Sequence, residues 1–237
     1  MSSDHFVQLY QDTASLADAV AAYVAEGLRK GEAAVIIATP RHREAFLSRI
    51  GAFNADQLKV LDAEQTLATF MVNGVPNWQA FRASIGGLIA ELRLRYPTLR
   101  AYGEMVDVLW QRGEREAAIR LEEYWNELGQ LQTFSLFCAY RMDPLDGALY
   151  GGPLESVCRV HSHLVPARDQ QRIDAAVHEA SRKVLDQPLA AILLSMAAHH
   201  GGQVPAGQAT LFWLKQNMPR AADKVFQELR GSASTEA

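Results

Sequence analysis

Apolar positions recur along the first two thirds of the chain with two alternating periods. Residues 6–10 alternate and end in the polar turn Gln11-Asp12-Thr13, which predicts a short strand and then a helix capped by Asp12 or Thr13. Leu16, Val20, Tyr23, Val24 and Leu28 fall at helical spacing over residues 13–29, and Gly31 closes that helix. Residues 33–38, Ala-Ala-Val-Ile-Ile-Ala, form an unbroken apolar run, as in a parallel strand covered on both faces. Thr39-Pro40 breaks it, and a second helix is predicted over 42–53 with Pro40 near its first turn. A third strand covers 58–61. Helices are predicted at 65–71 and 78–94, split at Gly74-Val75-Pro76, and Phe81, Ile85, Leu88, Ile89 and Leu92 form the buried stripe of the longer one. Pro97 stops it before another strand at 99–102.

The stretch 99–112 organises the rest. Its first half is a buried strand, Gly103 comes next, and Glu104 and Asp107 lie directly after. In an open α/β sheet, ligands bind beyond the carboxyl ends of the strands, so Glu104 lands on that rim. Residues 115–128 form a helix with Ala118, Leu121, Trp125 and Leu128 on one face, and 134–140 form another buried strand. This alternation predicts a three-layer α/β fold: a mostly parallel sheet, helices on both faces and right-handed crossovers. Residues 147–153, with three glycines and a proline, form a loop, and 155–164 return as a short helix or strand carrying Cys158, His161 and His163.

After Pro166 no strand-like run remains. Ile173, Ala176, Val177, Ala180 and Val184 share one helical face, and Leu189, Ile192, Leu193 and Met196 another. A turn at 201–205 precedes two more helices, one around Leu211 and Leu214 and one after Pro219 reaching about residue 230; the last seven residues are expected to be disordered. The domain boundary is therefore expected at 166, with 1–166 the α/β domain and 167–237 a helical extension.

Composition narrows the function classes. The chain has 237 residues, 49% hydrophobic and 21% charged, with a net charge of −4, so nothing draws it as a whole to nucleic acid or anionic membrane. The segment after Pro166 carries eight basic and seven acidic residues against fifteen and twenty before it, so it is no basic arm. Apolar runs reach about ten residues, too short to cross a bilayer, and from the N-terminal residues no signal peptide is expected. The two cysteines, Cys138 and Cys158, belong to no Cys-x-x-Cys pair, which fits reduced thiols in the cytoplasm.

A helix ending in Gly27-Leu28-Arg29-Lys30-Gly31-Glu32 before a buried strand resembles the opening of a RecA- or KaiC-like ATPase core. A phosphate loop needs glycines, whose amides surround the phosphates, and a lysine followed by Ser or Thr. Here the strand runs into Thr39-Pro40-Arg41-His42-Arg43-Glu44, so P-loop hydrolysis is not expected. Arg41, His42 and Arg43 add charge to the free amides of the next helix and could attract an anion, although a solvated basic cap explains them more simply. His161-Ser162-His163 lacks ligands at recognisable spacing and is not expected to be a closed zinc site. His199-His200 fits a helix C-terminus, and His178-Glu179 an exposed helix position. No Gly-x-Ser-x-Gly elbow is present. Trp110 and Trp125 suit either packing or the wall of an apolar pocket.

Several segments together resemble one family. They are Gly27-Leu28 with Gly31-Glu32, Ala38-Thr39-Pro40 with His42-Arg43, Leu61-Asp62-Ala63, Phe70-Met71 with Gly74, and Arg100 through Val106. Leu109-Trp110 with Gly113, Ala117-Ala118 through Leu128, and Cys138-Ala139-Tyr140 complete the set. The match, over about residues 4–166, is to the DcmR-type sensory domain, the MEDS domain of methanogens and methylotrophs. The resemblance implies a degenerate RecA/KaiC-like fold used in signalling, often joined to kinases or DNA-binding modules, and thought to sense small compounds. No helix-turn-helix or kinase module is recognisable beside it, so a direct role in transcription is not expected.

The chain is accordingly expected to be a non-enzymatic, cytoplasmic sensory protein, without cofactor or metal. Its α/β domain would bind a small molecule or a partner through Thr39, His42, Arg43, Glu104, Asp107 and Trp110. Its helical tail would transmit the state to a kinase or response regulator, or pair with a second copy in a homo-oligomer. One alternative is a ligand-free regulator working by protein–protein docking. Another is a nucleotide-binding protein that lacks the P-loop.

Overall fold

The alternating and continuous apolar runs become a parallel sheet. In the computed structural model, which describes residues 4–185, 188–193 and 204–233, the chain separates into two compact units, Met1–Arg141 and Met142–Ala237. The boundary expected at 166 lies inside the second.

The first unit holds β1 (His5–Tyr10), α1 (Thr13–Arg29), β2 (Ala33–Ala38), α2 (Pro40–Ile50), β3 (Leu58–Asp62) and α3 (Ala63–Ala68). It continues with the short pair β4 (Met71–Val72) and β5 (Val75–Pro76), then α4 (Trp78–Phe81) and α5 (Gly87–Arg93) around a π-helical turn at Arg82–Gly86. The unit ends with β6 (Leu99–Gly103), α6 (Met105–Gln111), α7 (Arg115–Leu131) and β7 (Ser135–Arg141). Five strands pair in parallel in the order β3-β2-β6-β7-β1. Every residue of β2 is buried, as its unbroken apolar composition requires.

Side-chain alternation along each strand assigns the helices to faces. Phe46 of α2 packs edge-on against Tyr102, and Tyr23 of α1 packs against Phe6 and Phe137. On the other face, Gly103 lies under the Trp125 ring of α7, and Trp110 of α6 meets Tyr140 edge-on. The result is the expected three-layer α/β arrangement.

Three local expectations are corrected. The second helix ends at Ile50 rather than 53, because Gly51 turns the backbone to φ 79° and Phe53 is left exposed. The helix expected at 65–71 is Ala63–Ala68, started by Asp62, whose Oδ1 accepts the Gln65 N–H at 2.9 Å. Residues 71–76 then form a hairpin, with Met71 opposite Pro76 and Val72 opposite Val75. Its turn is Asn73-Gly74 with φ 52° and 77°, both in the left-handed region a two-residue hairpin turn demands. The helix of 78–94 is widened at Arg82–Gly86. The Gly86 carbonyl there accepts from Gln132 Nε2 at 3.0 Å.

The second unit contains α8 (Pro153–Val160), β8 (His163–Val165), α9 (Gln170–Val184), α10 (Ala206–Asn217) and α11 (Pro219–Ala233). Residues 155–164 thus supply both a helix and a strand. The helices α9, α10 and α11 pack on one another through Ile173, Val177, Leu211, Leu214, Val225 and Leu229. A buried amide pair, Gln170 Nε2 to Gln208 Oε1 at 2.8 Å, joins α9 to α10. Gly231 to Ala233, expected to be disordered, lie in the last turn of α11; 234–237, and the 194–203 segment with Met196, His199-His200 and the first residues of the expected turn, lie outside the described residues.

The Gly27/Glu32 motif has a structural origin. Arg100 of β6 donates to Glu32 at 2.7 Å and to the Tyr23 carbonyl at 2.9 Å, with its guanidinium 5.0 Å from the Tyr23 ring centre. A Cβ on residue 27 would stand 2.7 Å from Arg100 Cδ and 2.8 Å from its Nε, so only glycine lets the arginine pass. Gly27→Ala is expected to lower stability by about 1–3 kcal/mol through overpacking, measured by urea denaturation. Unchanged stability would show that Arg100 has room to move aside.

Candidate functional site

Glu104 comes directly after the last residue of β6, and its own N–H donates to the Ile37 carbonyl at 2.9 Å. That bond sets it at the carboxyl end of β2, beside the turn into α2. There its carboxylate is 3% exposed and accepts three hydrogen bonds. Oε2 takes the Thr39 N–H at 2.8 Å, and Oε1 takes the Thr39 hydroxyl at 2.9 Å and lies 2.7 Å from His42 Nδ1. The other His42 nitrogen, Nε2, is 3.2 Å from Thr13 Oγ1, and the ring stacks on Phe46. Thr39 precedes α2, and Pro40 is its first residue. The strand-to-helix turn that would face an anion therefore already holds an internal carboxylate.

Asp107 forms a second polar node one turn into α6. Oδ2 accepts from the Tyr10 hydroxyl at 2.7 Å; Oδ1 accepts from Gln111 Nε2 at 2.9 Å and the Arg141 N–H at 3.0 Å. Burial, the largest influence, raises the Asp107 carboxyl above its ordinary range, against the three hydrogen bonds that favour its charge; nearby Glu104 adds to the rise. Burial and then the Asp107 charge also push the Tyr10 phenol up. The Tyr10 ring lies edge-on to His42, 5.7 Å between centres, and joins the two nodes.

Four of the six residues anticipated from sequence, Thr39, His42, Glu104 and Asp107, thus gather at the carboxyl rim. Arg43 is half-buried and forms no ion pair among the described residues. Trp110 packs between Tyr140 and the Arg115 guanidinium, 5.2 Å from its ring centre. Tyr10 carries no such signal in the sequence: at the end of an alternating strand it is indistinguishable from a core aromatic. His161 caps α8, with Nδ1 2.7 Å from the Val157 carbonyl, while His163 and His178 are exposed. Burial pushes the Cys158 thiol up to about 11.

A further polar group, also missed, lies on the α7 face of the sheet toward the amino-terminal end of β1. His5 Nε2 is 3.3 Å from Glu122 Oε2 and 3.4 Å from Cys138 Sγ, and Cys138 Sγ is 3.4 Å from Glu122 Oε2. Burial, then the Glu122 charge, pushes the Cys138 thiol well above its ordinary value. Glu122 offered a legible signal: it sits within the stripe Ala118, Leu121, Trp125, where an acid faces the core. The approach of His5 and Cys138 across the chain had none.

In this parallel α/β unit the β2–α2 turn carries Thr39-Pro40 and the Glu104 carboxylate where a phosphate loop would carry glycines. Residues 4–162 match the family described as MEDS: MEthanogen/methylotroph, DcmR Sensory domain, and the chain belongs to that family. It carries a sensory domain of signal transduction. Comparison with curated proteins finds no match. No described helix is long and apolar enough to cross a membrane.

Two measurements probe the rim. Glu104→Ala leaves the half-buried Thr39 N–H and the buried His42 Nδ1 without their partner, and orphaned buried groups cost about 1–3 kcal/mol each. A drop of that order in unfolding free energy is expected, and a neutral result would mean that water replaces the carboxylate. The raised Asp107 carboxyl binds its proton more tightly folded than unfolded. Its contribution is therefore most favourable at low pH and declines as pH rises from the ordinary Asp range through its folded value. Asp107→Asn, which keeps acceptors for Gln111 and Arg141, is expected to remove that decline when melting temperatures are compared across pH.

Proposed function

We propose that the chain is a non-enzymatic sensor whose α/β unit recognises a small neutral or cationic molecule at the carboxyl rim. One observation carries this reading: the Glu104 carboxylate occupies the β2–α2 turn and takes the Thr39 N–H. A phosphate placed there would meet a buried negative charge and a proline without an N–H, so nucleotide chemistry is disfavoured. A neutral hydroxyl or amine can instead share the acceptors of Glu104 and Asp107 and the hydroxyls of Thr39 and Tyr10. Such a ligand would exchange bonds with the residues that set the start of α2 and α6, which gives binding a route into helix position. The helices of the second unit would pass the state on by docking to a kinase, a response regulator or a second copy; α9 presents His178, Glu179 and Arg182 to solvent for such a contact.

A thermal-shift screen of the full-length protein tests the reading. The panel holds small alcohols, methylated amines, halocarbons, short organic acids and nucleotides, with Glu104→Gln in parallel. Ligand at a hundredfold its dissociation constant stabilises by about 2.7 kcal/mol. The expected result is a rise in melting temperature with a non-phosphorylated compound that Glu104→Gln abolishes. ATP turnover lost in Glu104→Gln, or selective stabilisation by nucleotides, would overturn it.

A further inference from the structure

His5, Glu122 and Cys138 bring an imidazole, a carboxylate and a thiol together with their donor atoms 3.3, 3.4 and 3.4 Å apart. These atoms come from β1, α7 and β7, and all three residues are at most 4% exposed. Zinc binds nitrogen, oxygen and sulfur at about 2.0–2.3 Å, so adjacent corners of its tetrahedron lie about 3.3–3.8 Å apart. The triangle has that edge length on all three sides. Both edges to sulfur also have the length of ordinary sulfur hydrogen bonds, but the His5–Glu122 edge, at 3.3 Å, is longer than the 2.7–2.9 Å of a charge-assisted N–H···O bond, such as the one His42 and Glu104 make at the rim.

The surroundings orient each donor inward. His5 Nδ1 lies 2.9 Å from the Asn126 side-chain oxygen. An oxygen there requires the proton on Nδ1, which turns the lone pair of Nε2 toward Glu122 and Cys138. The Tyr140 hydroxyl donates to Glu122 Oε1 at 2.8 Å, while Oε2 faces His5 and Cys138. Metal-bound histidines characteristically donate their second ring N–H in this way, and metal-bound carboxylates are themselves hydrogen-bonded. A cavity of about 530 Å³, walled by Asp4, His5, Asn126 and Gln132 among others, gives a path to His5.

We propose that His5, Glu122 and Cys138 are the protein ligands of a divalent transition-metal site, Zn²⁺ by the mixture of thiolate, imidazole and carboxylate. Soft sulfur beside nitrogen and oxygen suits zinc and disfavours Mg²⁺ or Ca²⁺, which select all-oxygen shells. A tetrahedral site takes one further donor beside these three. The site is separate from the rim: it lies on the α7 face of the sheet, at the amino-terminal end of β1, whereas Tyr10 marks its carboxyl end.

Cobalt substitution tests the proposal on the full-length protein. Chelator-stripped protein is titrated with Co²⁺ and its absorption recorded, then Zn²⁺ is added. The expected result is one Co²⁺ per chain, intense visible bands of tetrahedral cobalt, a near-ultraviolet thiolate-to-cobalt band, and loss of all of them on adding Zn²⁺. Cys138→Ser should remove the thiolate band, and Cys158→Ser should keep it. Asn126→Ala should weaken Zn²⁺ binding by about 10–100-fold, the effect of losing a partner that orients a ligand. Absence of the thiolate band in the unsubstituted protein would overturn the site without reference to any variant. So would a band that survives Cys138→Ser or vanishes with Cys158→Ser.

Discussion

The short hydrogen bonds of one buried carboxylate hold the rim of this sheet together. Glu104 takes Thr39 by both its backbone and its hydroxyl, and pairs with His42 on the first turn of α2. A buried carboxylate is tolerable only when its oxygens are satisfied, and here each has a partner from the neighbouring strand-to-helix turn. The start of α2, the seating of His42 on Phe46, the edge contact of Phe46 with Tyr102 and the entry of β6 into α6 are therefore linked. A strand-to-helix turn of the kind that receives phosphate in nucleotide-binding sheets is closed here by the protein's own charge.

The parallel sheet distributes polar chemistry between two places, and β1 reaches both. Its last residue, Tyr10, bonds to Asp107; its first, His5, lies against Glu122 and Cys138 on the other side. Six residues of extended backbone are rigid enough to register one group against the other. Between them the strand is buried at Val7, Gln8 and Leu9, so movement at one end is opposed by packing along the whole element.

Much of the fold is legible because parallel strands buried on both faces must be continuously apolar: the run 33–38 matches β2 residue for residue. The carboxyl rim is legible for the same reason, since a carboxylate directly after a strand-ending glycine has few other places to go. The features that escape the sequence are local or long-range. Asn73-Gly74 makes a two-residue hairpin from segments too short to show periodicity. Residues 105–111, an unanticipated helix, are dominated by the strand before them. Trp110 and Arg43 share sequence neighbourhood with the rim residues, but their rotational positions direct them elsewhere. The His5, Glu122 and Cys138 group depends on a pairing of β1 with β7 that no local pattern announces.

That pairing also fixes when the unit can form during synthesis. His5 and Cys138 are 133 residues apart, and β1 takes its place beside the last strand of the unit, not beside β2. As the polypeptide leaves the ribosome, β2, β3 and β6 can begin to associate, but the first strand to emerge finds β7 only when the unit is almost fully synthesised. Non-local pairing of this sort slows folding and leaves an apolar strand exposed in the meantime. Until β7 is made, the nascent unit therefore carries β1, with Val7 and Leu9, as a sticky segment, a natural target for ribosome-associated chaperones.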